Sequence, residues 1–438
     1  MVVAACGDGG LVRHGKVNED LVAAVTARLV AVRHLELEHP VPTRALGPAE
    51  VAAAVDQDLA RTFPPAGRER TDTVYAQVGL VPSGTRLAPA MERMLTTQLA
   101  AFYDPHAKQL VVATKAVGAG GAGGRLVTTL TGRDVLGELV VAHELTHALQ
   151  DQHWGLPDEA EPATASNTDR MLARRALLEG DAVWASFATV TGGTLDEATR
   201  ARVLHQMNGL PAQLASALPD VPELLRDSLA FQYQGGTIFV DRLLARGGWA
   251  AVDRAQADPP VSTEQILHPE RYLAARRDNP TPITLGTTPA LQRAGYEVVL
   301  ADTLGELIVR TLVGRVLPRE QAARVGDGWD GDRLVAFARG PDLLIAWMTV
   351  WDSDADAVEF ADAIRLAVPE ASVERRGARV LVLRGDAPPG AIRELWPSHA
   401  RRKRRPASAT TTPSRSSLVR CASTVSPAAH TRPGCRSV

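Results

Sequence analysis

Cysteine is nearly absent. Only Cys6, Cys421 and Cys435 occur in 438 residues, all outside the stretch whose apolar patterning marks it as folded. The core is therefore expected to hold neither a disulfide nor a thiolate metal site, and any metal must be taken by histidines and carboxylates. No run of 18 or more apolar residues appears, so no ordinary transmembrane helix is expected. Acidic residues are missing after Glu394, whereas nine Lys or Arg follow it. The formal charge of −2 thus hides a body in which 39 basic residues face 50 acidic ones, a balance of −11. Such a body has no general electrostatic case for binding nucleic acid.

What is present is 45% hydrophobic residues, enough to bury a sizeable core in about two domains. The chain is organised around Val140-Val141-Ala142-His143-Glu144-Leu145-Thr146-His147-Ala148-Leu149-Gln150-Asp151. On a helix, positions i and i+4 share a face, so His143 and His147 can turn their ring nitrogens to one ion. Zinc held this way keeps a position for water and lowers its pKa toward ~7, and the adjacent Glu144 can take the proton as general base. With 11 histidines in the chain, a chance His-Glu-x-x-His match is expected on the order of one time in a hundred. Val135, Leu136, Leu139, Val140, Leu145 and Leu149 predict a largely buried helix, in which uncoordinated imidazoles would need other partners.

Along the chain, Asn18 to Leu37 and Gly47 to Ala60 read as helices, and Gln98 to Thr114 as a hairpin around Asp104-Pro105. Gly118 to Gly124 contains a Gly-x-Gly-x-x-Gly pattern. The extended stretch Arg125 to Thr131 and the lack of a βαβ unit after it make this a loop rather than a nucleotide site. The metal helix is expected from an Asp134 cap to Gln152, and a second helix from Asp169 to Val190, stopped by Gly192-Gly193. Tyr233, within Ser228 to Leu244, and His268, within Pro259 to Tyr272, are further cleft candidates. Residues 291–397 read as a separate α+β unit: helix from Tyr296 to Leu317, strands Arg333 to Arg339 and Leu343 to Trp351, helix Asp354 to Leu366, and strand Ala378 to Arg384. From Pro397 onward the basic, polar composition cannot bury enough surface to fold.

Met1 to Gly7 resembles the end of a bacterial lipoprotein signal, with Val3-Ala4-Ala5-Cys6 as the lipid-acceptor motif. Its basic and apolar parts are expected upstream. His143-Glu144-Leu145-Thr146-His147 with Glu179 downstream resembles the gluzincin branch of zinc metallopeptidases. That resemblance implies a glutamate on a following helix as third ligand. More closely, the chain is similar to an uncharacterised family of bacterial envelope proteins. The shared stretches are Phe102 to Pro105, His143 to Gln152, Leu178-Glu179-Gly180-Asp181-Ala182 and Ser262 to Pro269. In several gluzincins an Asp four residues after the glutamate supports a zinc-bound histidine. Position 183 here is Val, which leaves Asp181 or Asp151 for that role. The zincin resemblance also implies a strand before the metal helix that forms a free sheet edge for extended substrate, for which Leu110 to Thr114 is the candidate.

These readings converge on an α+β protein. It comprises a signal remnant and linker (1–17), a mainly helical zincin-like domain (18–290) with a small edge-strand sheet, a smaller α+β domain (291–397) and a basic tail (398–438). The expected activity is zinc-dependent hydrolysis of peptide bonds in a peptide or protein substrate. His143, His147 and Glu179 are the ligands, Glu144 the base, and His268 or Tyr233 the oxyanion donor. The expected place is the outer side of the bacterial envelope, attached through a lipidated Cys6. The rival is a lipid-anchored binding or scaffold protein with a structural zinc, which would have no need of a base at Glu144. Between Glu179 and Asp181 as third ligand, the apolar stripe Leu172, Ala176, Ala182, Val183 and Phe187 favours Glu179, because a carboxylate there needs a cation.

Overall fold

The structure, a computed structural model, describes residues 10–13, 15–98, 100–114, 133–156, 164–193 and 195–396. Cys6, the stretch from Gly118 to Thr131 and residues 398–438 lie outside them. The fold is α+β and mainly helical. Short polar residues start its principal helices by satisfying the first free amides. Asn18 caps α1 (Glu19–Arg33) through Leu21 N, Asp134 caps α2 (Val135–Trp154) through Gly137 N, and Asn167 caps α3 (Thr168–Val190) through Arg170 N.

Helix α2 buries Val141, Ala142, Leu145 and Leu149 against Val22, Val25 and Leu29 of α1 and against Leu110 and Val112 of a small sheet. Leu136, expected inside, is 50% exposed, because it lies in the first turn ahead of that packed surface. The sheet comprises β1 (Thr43–Leu46), β2 (Ala101–Asp104) and β3 (Gln109–Ala113) in the order β1-β3-β2. The expected free edge at Leu110 to Thr114 is therefore the centre of the sheet. It runs parallel to β1 and antiparallel to β2. Leu110, Val111 and Val112 are all buried, which suits a strand covered on both sides, whereas β2 alternates buried and half-buried positions. The strand beside α2 is β2.

Helix α3 crosses the segment formed by α4 (Glu223–Ala230), the π-helical turn Phe231–Gly235 and α5 (Gly236–Ala257), the last broken at Gly247 and Gly248. At the crossing a Cβ on Gly180 would stand 2.1 Å from Gly236 O, and one on Gly236 would stand 1.9 Å from Ala176 O. Only glycine at both positions lets the backbones come this close.

The C-terminal part builds a five-stranded antiparallel sheet, β4 (Glu297–Asp302), β5 (Trp329–Arg339), β6 (Asp342–Trp351), β7 (Ser372–Arg376) and β8 (Arg379–Arg384), ordered β4-β5-β6-β8-β7. The stretch expected as one helix from Tyr296 to Leu317 is instead β4 followed by α6 (Gly305–Gly314). Its Val298 and Leu300 pair with β5 across an irregularity at Val299, and Gly305 at φ +84° turns the chain into the helix. Helix α7 (Asp354–Ala367) starts at the Ser353 cap as expected. One buried cluster joins Leu172 and Trp184 of α3, Ile308 and Leu312 of α6, and Trp329 and Trp347 of the sheet, so the helical body and the sheet share a core. Among the described residues no helix is long and apolar enough to cross a membrane.

Candidate metal centre

Helix α2 is apolar on one face and presents His143, Glu144, His147 and Asp151 on the other. Helix α3 lies against it and brings Glu179 over the two imidazoles. His143 Nε2 is 3.1 Å from Glu179 Oε2, His147 Nε2 is 3.7 Å from the same oxygen, and the two Nε2 atoms are 3.3 Å apart. These three Lewis-basic atoms form a group that could hold a metal ion. Ligand atoms ~2.0–2.1 Å from a tetrahedral ion stand about 3.3 Å from one another, so the donor set fits such an ion without rearrangement. In the protein alone, burial opposes charge on His147, but the Glu179 and Glu144 carboxylates and the Gln150 hydrogen bond together outweigh it and lift its pKa to about 9. Burial likewise opposes ionisation of Glu179, yet the two histidines hold it well below the usual carboxylate range. The pocket thus supplies negative charge that a cation satisfies.

A chain of buried polar groups fixes the orientation of His147. Gln150 Nε2 donates to Leu178 O at 3.0 Å and to Asp181 Oδ2 at 3.1 Å, which leaves Gln150 Oε1 to accept from His147 Nδ1 at 2.8 Å. A proton is thereby held on Nδ1, which leaves Nε2 as the atom that faces Glu179 and could bind an ion. Asp181 is fully buried. It is ion-paired with Arg33 at 3.2 Å and accepts also from Gln256 Nε2 at 3.0 Å. Arg33 continues to Asp253 at 2.8 Å and lies 4.5 Å over the Trp249 ring. Asp181 is accordingly a support acting through Gln150, and Glu179 is the carboxylate at the imidazoles. Asp151 accepts from Tyr103 Oη at 2.7 Å and Lys108 Nζ at 2.6 Å, tying α2 to the β2–β3 hairpin.

Glu144 accepts one hydrogen bond, from Tyr103 N of β2 at 2.9 Å. Burial raises its pKa, and the nearby histidines partly oppose the shift. Tyr233 sits on the π-helical turn, where the extra residue per turn pushes its ring toward α2. The ring stacks on His143 with centroids 6.1 Å apart and an interplanar angle of 17°. Its hydroxyl bonds Glu179, and burial, with the charges of Glu179 and Glu144, raises its pKa well above the ordinary value.

His268 stands elsewhere. It lies between the short helices Thr263–Leu267 and Pro269–Leu273 and faces α6, with Nε2 3.1 Å from Glu306 Oε1, 3.1 Å from Asp327 Oδ1 and 3.1 Å from Arg310 Nη2. Of the two expected oxyanion donors, Tyr233 stands beside His143 and Glu179, whereas the break between the two short helices turns His268 toward Glu306, Arg310 and Asp327. His268, Glu306 and Asp327 also satisfy the spacing of a metal group, but Arg310 is ion-paired with Glu306 and supplies the positive charge there. Gln150, Tyr103, Arg33 and Gln256 are contributors that sequence reasoning missed. Only Gln150 carried a readable signal, three residues after His147 on the same helix face.

Residues 295–393 match a family model described as a domain of unknown function, DUF8575. The matched stretch covers the C-terminal sheet and contains none of the residues that converge on Glu179. No curated protein and no solved structure matches the chain.

Proposed function

We propose that this protein is a zinc-dependent metallopeptidase in which His143, His147 and Glu179 hold the ion and Glu144 is the general base. The observation that carries the reading is the meeting of two Nε2 atoms and one carboxylate oxygen at 3.1, 3.3 and 3.7 Å beside a glutamate that takes no part in that triangle. Neutral imidazoles with a carboxylate suit zinc, and three protein ligands leave a fourth position, which a purely structural site would close. The ion supplies acidity to a water, lowering its pKa toward ~7.

The remaining chemistry belongs to the chain. Glu144, held by the Tyr103 amide, accepts the proton of the attacking water and hands it to the departing amine. Its raised pKa makes it a better base near neutrality than an exposed carboxylate. Tyr233 stays protonated beside two carboxylates and donates to the oxygen that becomes negative as the carbonyl is attacked. The Val3-Ala4-Ala5-Cys6 motif supports a lipid-anchored enzyme on the outer side of the bacterial envelope, and the acidic body supports peptide rather than nucleic-acid substrates. The test is incubation of purified protein with a denatured protein mixture, with and without chelator, and mapping of new termini. Glu144→Gln should keep about one zinc per chain and lower kcat/KM by about 10²–10⁴. Wild-type rates in a zinc-loaded Gln variant overturn the mechanism.

A further inference from the structure

The stretch from Ser262 to Pro269 holds none of the residues at the metal centre. Its penultimate residue, His268, lies between the short helices Thr263–Leu267 and Pro269–Leu273 of the helical body. Glu306 and Arg310 reach it from α6, and Asp327 reaches it as the last residue of the helix Arg319–Asp327, just ahead of β5. Three parts of the chain therefore meet at one ring.

Both ring nitrogens face carboxylates. Nε2 stands 3.1 Å from Glu306 Oε1 and 3.1 Å from Asp327 Oδ1, and Nδ1 stands 3.8 Å from Glu270 Oε1. An imidazolium donates from both nitrogens, whereas either neutral tautomer turns one lone pair toward a carboxylate. The neutral ring has one alternative at Nε2, which is to accept from Arg310 Nη2 at 3.1 Å. The wider charge balance also favours the imidazolium. Arg310 is ion-paired with Glu306, and Arg271 with Glu264, while Arg271 also stands 3.5 Å from Asp327 and 3.8 Å from Asp352. Counting Glu270, five carboxylates gather around two guanidiniums and the ring. Burial disfavours charge on His268 and Arg310 opposes it, yet Glu306 and Asp327 outweigh both and raise its pKa above the ordinary value.

The two carboxylates at Nε2 differ in what they keep when the ring loses its proton. Glu306 is fully buried and retains Arg310. The Asp327 side chain is 58% exposed and can turn to water. Arg271, which donates to Asp327 O at 2.9 Å, still tethers the helix end.

We propose that His268 is a proton-dependent clamp, which fastens the end of the helix Arg319–Asp327, and with it the entry to β5, to the helical body. The clamp is closed below the ordinary histidine pKa of ~6.5 and loosens as pH rises through the higher pKa of the folded protein. It is independent of the peptidase reading, since none of these residues belongs to the metal cluster.

The test uses the full-length protein with isotope-labelled histidine, titrated by NMR from about pH 5 to 9. The His268 signal is identified by its loss in His268→Gln. Its midpoint should lie above ~6.5. Asp327→Asn should move that midpoint down and Arg310→Met should move it up, because the first removes a favourable charge and the second an unfavourable one. Hydrogen exchange, corrected for the intrinsic effect of pH, should show protection of residues 319–327 falling about tenfold across the midpoint, the scale of one charge-assisted hydrogen bond. His268→Gln and Asp327→Asn should show no such step. Because Asp327 is mostly exposed, its variant should melt as cooperatively as the wild type. A midpoint at or below ~6.5 overturns the proposal, as does an unchanged exchange step in Asp327→Asn. A midpoint that moves on adding chelator would put a metal ion rather than a proton at Nε2 and would equally remove the clamp.

Discussion

At the residue scale, Glu179 and Asp181 are two carboxylates on one helix with opposite duties. Glu179 meets two imidazoles and, among the described residues, pairs with no arginine, so a cation is what completes it. Asp181 is completed by Arg33, which is itself 1% exposed. The two alanine variants should therefore separate. Glu179→Ala should weaken zinc retention at least tenfold, the scale of a lost ligand, with a small change in apo-protein stability. Asp181→Ala leaves the buried Arg33 with Asp253 as its remaining carboxylate and should destabilise by about 1.5–3 kcal/mol. It should lower zinc affinity less, through a loosened Gln150. Dialysis against a moderate chelator followed by metal analysis, beside urea unfolding of both apo-proteins, checks the pair of outcomes. Equal zinc content in wild type and Glu179→Ala would overturn the ligand assignment.

At the scale of elements, the site depends on how near α3 can come to the chain around Gly236. Gly→Ala inside a helix ordinarily stabilises by up to ~1 kcal/mol. At Gly180 the added Cβ would press on Gly236 O at 2.1 Å, and backbone cannot yield as a side chain does. Gly180→Ala should therefore be net destabilising by about 1–3 kcal/mol and lower the melting temperature by several degrees. It should also lower zinc content, since Glu179 precedes the pivot and Tyr233 precedes its partner. A second junction lies at the other end of α3. Asp169 Oδ1 accepts from Thr263 N at 2.7 Å and Thr263 Oγ1 at 2.6 Å, close to the start of α6. Burial, helped by the Asp332 and Glu306 charges, pushes its pKa up to about 8 from 3.8. The folded protein then keeps a proton that the unfolded chain releases above pH ~4. This contribution to stability is complete below pH ~4 and is lost as pH rises to about 8, with a slope of at most ~1.4 kcal/mol per pH unit. Asp169→Asn keeps the acceptor without the titration. Its unfolding free energy should be flatter than wild type between pH 5.5 and 8, measured by denaturant titration at each pH. A parallel pair of profiles would refute the buried titration.

At the scale of the whole molecule, the sheet and the helical body stand or fall together. Leu172, Trp184, Ile308, Leu312, Trp329 and Trp347 share one buried cluster, so cutting the chain at 290 exposes large apolar side chains on both halves. Residues 18–290 expressed alone should bind a hydrophobic dye and lack a cooperative melting transition. A sharp transition with retained zinc would show that the body folds without the sheet.

The sequence by itself determined whatever is local. The i, i+4 histidines, the adjacent glutamate, the Asn18, Asp134 and Ser353 caps and the Asp104-Pro105 turn are set by spacing and backbone hydrogen bonding within a few residues. Glu179 as the partner followed from one carboxylate within an apolar stripe. Three features were decided only by tertiary structure. Leu110 to Ala113 became the central strand because β1, more than sixty residues earlier in the chain, supplies the second neighbour. His268 left the site because Glu306, Arg310 and Asp327 gather around it from the C-terminal part. Gln150, Asp181, Gln256 and Arg33 became one support for His147 because four separated segments meet there in a buried place, where polar side chains find their partners in one another rather than in water. A hydrogen bond between distant segments leaves no period in the sequence. Its partners are fixed by packing, and packing is settled by the whole chain.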